Sequence, residues 1–190
     1  MANKLEIYYI MKPHLVTQAW GIYNPAYQQF GYSKHNGEDN AIGTDKKLWW
    51  PIHNCTIYDT AFSEATGWRI KATTNDKYLF PDGVECRVDI IMMHLKEQSP
   101  LKPGQVVDVG TCAGIPDNTG FSTGPHTHFM LRRISDNGAL LDKNDADNSF
   151  DPVPYYTHYY AQDYDTLIEK FQSLILILQK LVGSLPPISK

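Results

Sequence analysis

The chain has 190 residues, of which 42% are hydrophobic and 20% are charged, a composition typical of a folded globular protein and not of a disordered one. Its net charge of −4 and the lack of a long lysine or arginine cluster argue against nucleic-acid binding. The three cysteines, Cys55, Cys86 and Cys112, contain no CxxC pair and predict no disulfide framework.

The amino-terminal stretch MANKLEIYYIMKPHL lacks the pattern of a secretory signal peptide. Its apolar run is interrupted at Lys12 and Pro13, and no small-residue cleavage site follows. The chain also lacks a run of about 18 uncharged apolar residues, so we expect no transmembrane span. The sequence therefore predicts a protein without a signal peptide that is made in the cytoplasm.

Residues 1–150 contain short apolar runs separated by residues that favour turns. The runs have the length of strands and read LEIYYI, WRIKAT, VDIIMMHL, QVVDVG and HFMLRR. The separating segments read NPAY, HNGEDN, PDG, KPGQ and SDNG. This alternation, uninterrupted by an amphipathic segment of helical length, predicts one mainly β domain built from an antiparallel β-sheet.

The segment 151–163 contains two prolines and a cluster of tyrosines. Proline is unfavourable in helices and in central strands. We interpret the segment as a linker, with a strap over the core as the alternative.

A change of pattern at Tyr164 predicts a C-terminal amphipathic α-helix over 164–185. Apolar residues recur there at alternating steps of three and four, a heptad pattern, at Tyr164, Leu167, Phe171, Leu174, Leu178, Leu181 and Leu185. Further apolar residues make the stripe wider than a simple dimer seam, namely Ile168, Ile175, Ile177 and Val182. We expect the helix to mediate homo-oligomer formation or docking into a larger assembly; packing on its own domain or on a membrane surface is the alternative.

Two histidines, His126 and His128, stand one residue apart in the stretch FSTGPHTHFMLRR. The run that they open is typical of a strand, in which residues i and i+2 point to the same face. The two imidazoles should therefore lie side by side, an arrangement that favours a metal or catalytic site.

Further candidate ligands lie upstream of this pair. His35 and Asp39 are four residues apart in the polar segment SKHNGEDNA, and His94 ends the apolar run that begins at Val88. Histidine and aspartate are suitable zinc ligands, and a catalytic zinc keeps three protein ligands and an open position. Each feature alone also has an ordinary structural explanation, since HxxxD spacing is common and a strand-end histidine often bonds to backbone. No HExxH segment occurs, which excludes a thermolysin-like site.

Taken in order, these segments resemble the motifs of the lysostaphin/LytM-like zinc metallopeptidases. That family carries HxGxD, then HL followed by GQxV, then a GPHxHF segment. The corresponding stretches are HNGED from His35, HLKEQSPLKPGQVVDVG from His94 and GFSTGPHTHF from Gly120. The segment VTQAWGIYNPAYQQFGYSKH is similar to the entry segment of phage-type members. The resemblance extends from about Val16 to Arg133 and leaves the tail uncovered.

The resemblance implies a role for each of five polar positions. His35, Asp39 and His128 would be the metal ligands that hold one zinc ion (Zn2+) per chain. His94 and His126 would be the catalytic histidines, which take up a proton and stabilise the developing oxyanion, with the division of these tasks left open.

The resemblance also implies an antiparallel β fold whose active site lies in a groove walled by loops. The expected substrate is a peptide of bacterial peptidoglycan. A tyrosine often assists catalysis in the family, and Tyr27 and Tyr32 are the candidates for stabilising the oxyanion here.

Four positions differ from the commonest wording of the family motifs. Glu38 stands where an aliphatic residue is usual, and Lys96 follows HL where serine is common. Thr127 stands where leucine is usual, and Met130 where many members have glutamate. None of these differences removes a ligand or a catalytic group, so they bear on the choice of substrate.

We therefore predict a zinc-dependent endopeptidase that hydrolyses peptide bonds of peptidoglycan and acts at the bacterial cell wall. Lacking a signal peptide, it would reach the wall as a phage lysin or as a virion-associated hydrolase. Two other classes stay open. One is a non-catalytic structural or assembly protein that keeps the peptidase fold, and the other is a zinc hydrolase with another substrate.

Overall fold

The computed structural model describes residues 3–183, except for the side chains of 164–167, 169 and 180–183. The strands in this range are β1 Ile7–Tyr9, β2 Val16–Gln18, β3 Glu38–Ala41, β4 Leu48–Trp49, β5 Cys55–Asp59, β6 Phe62–Ser63, β7 Gly67–Thr74, β8 Tyr78–Leu79, β9 Glu85–Leu95, β10 Val106–Val107, β11 Cys112–Gly114, β12 His126–Ile134 and β13 Tyr156–Tyr160. Short 3-10 helices span Pro25–Phe30, Val153–Tyr155 and Ala161–Asp163, and the α-helix α1 spans Tyr164–Gly183.

The body of the protein is a nine-stranded sheet in the order β10-β5-β7-β9-β12-β3-β2, with β6 added to β7 and β8 added to β9. Its pairings are antiparallel. The long central strands β7, β9 and β12 are rich in β-branched and large apolar residues, which favour strands. Because β9 is paired along both edges and buried over most of its length, its sequence reads as an almost continuous apolar run.

Alternate residues of the central strands point to opposite faces of the sheet. One set packs into a single apolar core with residues from the amino-terminal 52 positions. From the central strands this core contains Ile70, Ala72, Ile90, Met92, Phe129 and Leu131, and from the amino-terminal part it contains Ile7, Ile10, Leu48, Trp50 and Ile52. The intervening residues point to the opposite face. That second face carries the polar groove described below.

The predicted mainly β, antiparallel fold class is confirmed. Each of the five apolar runs predicted as strands overlaps one, namely β1, β7, β9, β10 and β12. The three cysteines are free thiols.

One separating segment was predicted wrongly. HNGEDN was expected to be a turn, yet Glu38–Ala41 forms β3, which lies between β12 and β2 inside the sheet. The sequence did not reveal this strand because its residues are polar. They can be buried because they form hydrogen bonds inside the protein. Asn40 Nδ2 donates to Glu38 Oε1 at 3.0 Å, and the Tyr156 hydroxyl donates to the same oxygen at 2.6 Å.

The segment 151–163 lies against the domain as a strap and does not hang free as a linker. Its strand β13 pairs in parallel with β1, with Ile7 opposite Tyr156. Tyr155 and Tyr156 pack against the apolar core. The tyrosines supply apolar contact area, and this contact anchors a segment whose prolines would otherwise favour a loop.

The predicted C-terminal helix is present as α1, and positions 184–185 of the prediction lie outside the described residues. The described apolar side chains of α1 have exposed fractions between 36% and 64%. They are Ile168, Phe171, Leu174, Ile175, Leu176, Ile177 and Leu178. The domain therefore leaves this part of the stripe uncovered. Among the described residues, no helix combines the length and the apolar character needed to cross a bilayer.

Candidate metal centre and active-site groove

The HxH pair sits at the start of β12, directly beside β3. His128 is the cross-strand partner of Asp39, and His126 is the partner of Ala41. As predicted from the strand period, both imidazoles point to the same face, since His128 Nδ1 and His126 Nε2 lie 2.9 Å and 3.4 Å from Asp39 Oδ1. The antiparallel register thus brings together residues that are 89 positions apart in sequence.

His35 completes the cluster from the segment that leads into β3. Its Nε2 lies 3.2 Å from Asp39 Oδ1 and 3.1 Å from His128 Nδ1. Its Nδ1 lies 3.0 Å from the carbonyl oxygen of Ala19, which fixes the ring and leaves Nε2 directed at the cluster. His35, Asp39 and His128 therefore offer three ligand atoms that all lie within 4.8 Å of one another.

The donor set and its spacing fit a metal ion. Ligands bound to zinc at about 2.0–2.1 Å in a tetrahedron lie roughly 3.3 Å from one another. The three contacts among the ligand atoms are 2.9 Å, 3.1 Å and 3.2 Å, close to that spacing. Two imidazole nitrogens and a carboxylate oxygen packed this closely direct their lone pairs at one point. A cation at that point would offset the repulsion between these lone pairs.

The glycine of HNGED leaves space for the His128 ring. A Cβ built on Gly37 would lie 2.6 Å from His128 Nε2 and 2.6 Å from the carbonyl oxygen of Phe129. Gly37 is thus required here for space, because any side chain would collide with the His128 ring and with the backbone.

Charge in the cluster favours the forms of the side chains that bind metals. Burial alone would raise the pKa of Asp39, but hydrogen bonds with His126, His128 and His35 hold that pKa well below its usual range. Burial lowers the pKa of His128, against the opposing effect of Asp39. An ionised carboxylate and a neutral imidazole are the states in which these groups act as ligands.

His94 lies at the end of β9, in a conformation that is unusual for a residue with a side chain. Its φ of 65° is in the left-handed region, a strained choice that often marks functional positions. Its Nδ1 donates to the carbonyl oxygen of Thr119 at 2.7 Å, which leaves Nε2 as an acceptor. Burial lowers the pKa of His94 to about 4, despite the opposing hydrogen bond with Thr119.

His126 faces His94 across the same end of the groove, with ring centroids 4.7 Å apart. Its Nδ1 lies 2.7 Å from the carbonyl oxygen of Gly124 and 3.2 Å from Ser122 Oγ. Burial would lower the pKa of His126, but the hydrogen bond with Asp39 raises it above its usual value. Both rings are therefore oriented by Nδ1 beside a backbone carbonyl oxygen. Their pKa values are shifted in opposite directions.

The two candidate tyrosines also line the groove. Tyr27 stacks on His35 with ring centroids 5.6 Å apart, and its hydroxyl donates to Gln18 Oε1 at 3.2 Å. Burial raises the pKa of Tyr27, and it raises the pKa of Tyr32 to about 12. Both phenols are thus protonated donors at neutral pH.

All seven residues proposed from the sequence line one groove, whose cavity volume is about 370 Å³. Several groove residues were not identified from the sequence, among them Gln18, Asn36, Lys71, Phe121 and Arg132. Lys71 and Arg132 alternate with core residues along β7 and β12, which is the one sequence signal that could have placed them on this face. Asn36 and Phe121 lie in loops and Gln18 ends the short strand β2, so none of them shows a comparable periodicity.

No protein-family model and no curated protein matches the chain. Solved structures do match. The catalytic domain of the antimicrobial peptidase lysostaphin from Staphylococcus simulans has a TM-score of 0.54 and 22% identity over 75% of this chain and 91% of that one. The catalytic domain of a point mutant of EnpA, a prophage-encoded M23 protein from Enterococcus faecalis, has a TM-score of 0.52 and 20% identity, covering 74% and 94%.

A zinc-containing peptidase from Vibrio cholerae matches with a TM-score of 0.52 and 20% identity over 70% of this chain, but only 37% of that protein is covered. At such identities the likeness establishes a common fold. The chain therefore has the fold of the lysostaphin/LytM-like peptidase domains, as the motif resemblance implied.

Proposed function

We propose that the chain is a lysostaphin/LytM-like, zinc-dependent endopeptidase that hydrolyses peptide bonds of bacterial peptidoglycan. One observation carries the proposal. His35, Asp39 and His128 converge with ligand atoms within 4.8 Å, and His94 and His126 stand beside them in an open groove. The peptidase fold and the three motifs, present in order, support the same reading.

Zinc would be held by His35 Nε2, Asp39 Oδ1 and His128 Nδ1, the atoms that face one another in the cluster. An ion bound there would supply Lewis acidity, which lowers the pKa of water and polarises a carbonyl group. The open side of the groove leaves room for a substrate beside the three ligands.

The remaining chemistry falls to the two other histidines. Each has Nδ1 next to a backbone carbonyl oxygen, so Nε2 is the atom available for proton transfer. We propose that His94 and His126 share two tasks through Nε2. One is to accept the proton of the attacking water and pass it to the leaving amine, and the other is to donate a hydrogen bond to the developing oxyanion.

We propose that the protein reaches the wall through a phage, either as a lysin or as part of a virion. The entry segment similar to phage-type members supports this setting, and EnpA, one of the structural neighbours, is described as prophage-encoded. In that setting, helix α1 would join the chain to copies of itself or to a larger assembly. Its exposed apolar residues, from Ile168 to Leu178, support this use.

Digestion of purified cell walls tests the enzymatic proposal. We expect the protein to clear a wall suspension, a chelator to stop clearing, and added zinc to restore it. Clearing that continues unchanged after complete metal removal would exclude zinc dependence. Intact walls with the zinc-loaded protein, together with hydrolysis of another peptide or ester, would instead favour a zinc hydrolase with a different substrate. No hydrolysis at all would favour the non-catalytic assembly role.

A further inference from the structure

Lys71 lies on the floor of the groove, away from the metal centre. In the sheet it pairs with Ile91 of β9, which pairs in turn with Met130 of β12. His128 is one pleat repeat away from Met130 along β12, and β7 is two strands away from β12. With strands about 4.8 Å apart and a pleat repeat of about 6.7 Å, the Cα atoms of Lys71 and His128 lie roughly 12 Å apart.

The cations that neighbour Lys71 are neutralised by carboxylates. Arg69 Nε donates to Asp59 Oδ2 at 2.8 Å. Arg132 donates through Nε and Nη2 to Asp89 Oδ2, at 3.0 Å and 2.8 Å. Lys71, by contrast, has no carboxylate within 4.0 Å of its ammonium group in the described part of the chain. Asp59 and Asp89 act on Lys71 only at longer range, because each is already bonded to an arginine, so Lys71 is the member of this group of three without a direct ion pair among the described residues.

The surroundings of Lys71 make an added anion favourable. Its strand neighbour Ile91 and the next residue along the row, Met130, are buried and apolar, so the side chain is only partly hydrated. Burial, followed by the charge of Arg69, lowers the pKa of Lys71, which means that its ammonium form is destabilised in this position. A carboxylate placed beside it would remove that penalty and form a charge-assisted hydrogen bond.

We propose that Lys71 is a specificity-determining residue that binds a free carboxylate of the substrate peptide. An extended peptide advances about 3.3 Å per residue, so the carboxylate would lie about three or four residues from the scissile bond. The inference rests on the proposed peptidase function and deepens it, since it assigns an acidic peptide as the preferred substrate. On the Ile91 side the row continues to Met130 and offers Lys71 no carboxylate, while on the other side its cross-strand neighbour Asp59 is bonded to Arg69.

The test uses one wall preparation in two chemical forms, native and with its free carboxylates converted to carboxamides. Hydrolysis rates are measured with zinc-loaded wild type, Lys71→Met, Lys71→Arg and Lys102→Met. Lys71→Met keeps the apolar stem and removes the charge, Lys71→Arg keeps the charge, and Lys102, an exposed lysine on the loop before β10, is the matched control. Thermal unfolding of each variant checks that it is folded.

We expect wild type to act about tenfold faster on native than on amidated walls, the effect of one charge-assisted hydrogen bond. The hydrolysis rate of Lys71→Met on native walls should be about tenfold lower than that of wild type and equal to its rate on amidated walls. Lys71→Arg and Lys102→Met should retain the preference for native walls. Equal rates of wild type on both walls, or a preference that persists in a folded Lys71→Met, would overturn the inference and leave the proposed function intact. Failure of every protein on both walls would refute the proposed function, and the inference with it.

Discussion

Three of the four histidines around the groove owe their orientation to the backbone. His35, His94 and His126 each place Nδ1 beside a carbonyl oxygen, those of Ala19, Thr119 and Gly124. Nε2 is therefore left for the metal or for the substrate. His128 is turned the other way, with Nδ1 in the cluster and Nε2 buried without a hydrogen-bond partner among the described residues. Its ring is held by close packing on Gly37 instead.

This division of roles predicts that ligands and catalysts can be separated by substitution. His94→Ala and His126→Ala should retain most of the bound zinc and lose hydrolysis of walls by about 100-fold or more, because a proton acceptor or an oxyanion donor is removed. The double variant His35→Ala, Asp39→Ala should lose the zinc itself. Metal content by elemental analysis and wall-clearing rates measure both effects. Full zinc occupancy in the double variant would contradict the ligand assignment.

A second residue-scale prediction concerns Gly37. Gly37→Ala should destabilise the fold by about 1–3 kcal/mol and reduce zinc content, because its Cβ would strike His128 and the Phe129 carbonyl oxygen and the backbone there cannot yield easily. Gly124→Ala is the matched control for zinc content, since a Cβ at Gly124 meets nothing within 4 Å. Chemical denaturation and metal analysis are the readouts. Zinc content equal in the two variants would show that His128 does not depend on this packing.

At the scale of elements, β3 connects the metal centre to the opposite side of the sheet. Asp39 faces the groove, while Glu38 faces away and accepts a hydrogen bond from Tyr156 of β13. Burial raises the pKa of Glu38, against the opposing hydrogen bonds from Tyr156 and Asn40. The strap of residues 151–163 therefore holds, through one buried carboxylate, the strand that carries the proposed metal ligand Asp39.

Loss of that connection should be measurable as stability. Tyr156→Phe should lower the free energy of unfolding by about 1–3 kcal/mol, since the buried Glu38 Oε1 loses one of its two donors and keeps only Asn40. Tyr159→Phe, on the same strand but 59% exposed, is the control and should change stability little. Urea denaturation of the two variants provides the comparison. Equal stability would mean that the hydroxyl of Tyr156 contributes nothing to holding β13 on β3.

The same elements show what the sequence could and could not predict. β9 and β12 were identified because their apolar residues form long runs, and the same-face position of His126 and His128 follows from the strand period alone. β3 was missed because Glu38 and Asn40 are polar residues that can be buried only because they bond to each other and because Tyr156, 118 positions from Glu38, also donates to Glu38. The position of Lys71 in the same groove as the histidines depends on the pairing of β7, β9 and β12, a long-range property that no local pattern records.

At the scale of the whole molecule, helix α1 presents five consecutive apolar residues, 174–178, each more than half exposed. Exposed apolar area of this kind typically marks an interaction surface. We predict that the full chain self-associates or binds a larger assembly and that a version ending at Asp163 is monomeric. The truncated protein should keep its thermal stability, since the described side chains of the helix are not covered by the domain.

Light scattering and thermal unfolding of the two lengths test this prediction. A full chain that is monomeric, together with a truncated chain that melts at a clearly lower temperature, would contradict it. In that event the helix would pack on its own domain. The truncated protein also serves as a control for catalysis, because each residue assigned to the metal centre and groove lies before residue 150.

The central claim is that this groove hydrolyses peptide bonds in peptidoglycan. Mass spectrometry of the soluble fragments released from purified walls by the zinc-loaded protein tests it most directly, with His94→Ala as the control. We predict fragments that carry a newly formed amino group and carboxylate in their peptides, with the sugar chains uncut, and none of them with His94→Ala. Fragments with newly formed reducing sugar ends, or the same peptide products from the variant, would contradict the account.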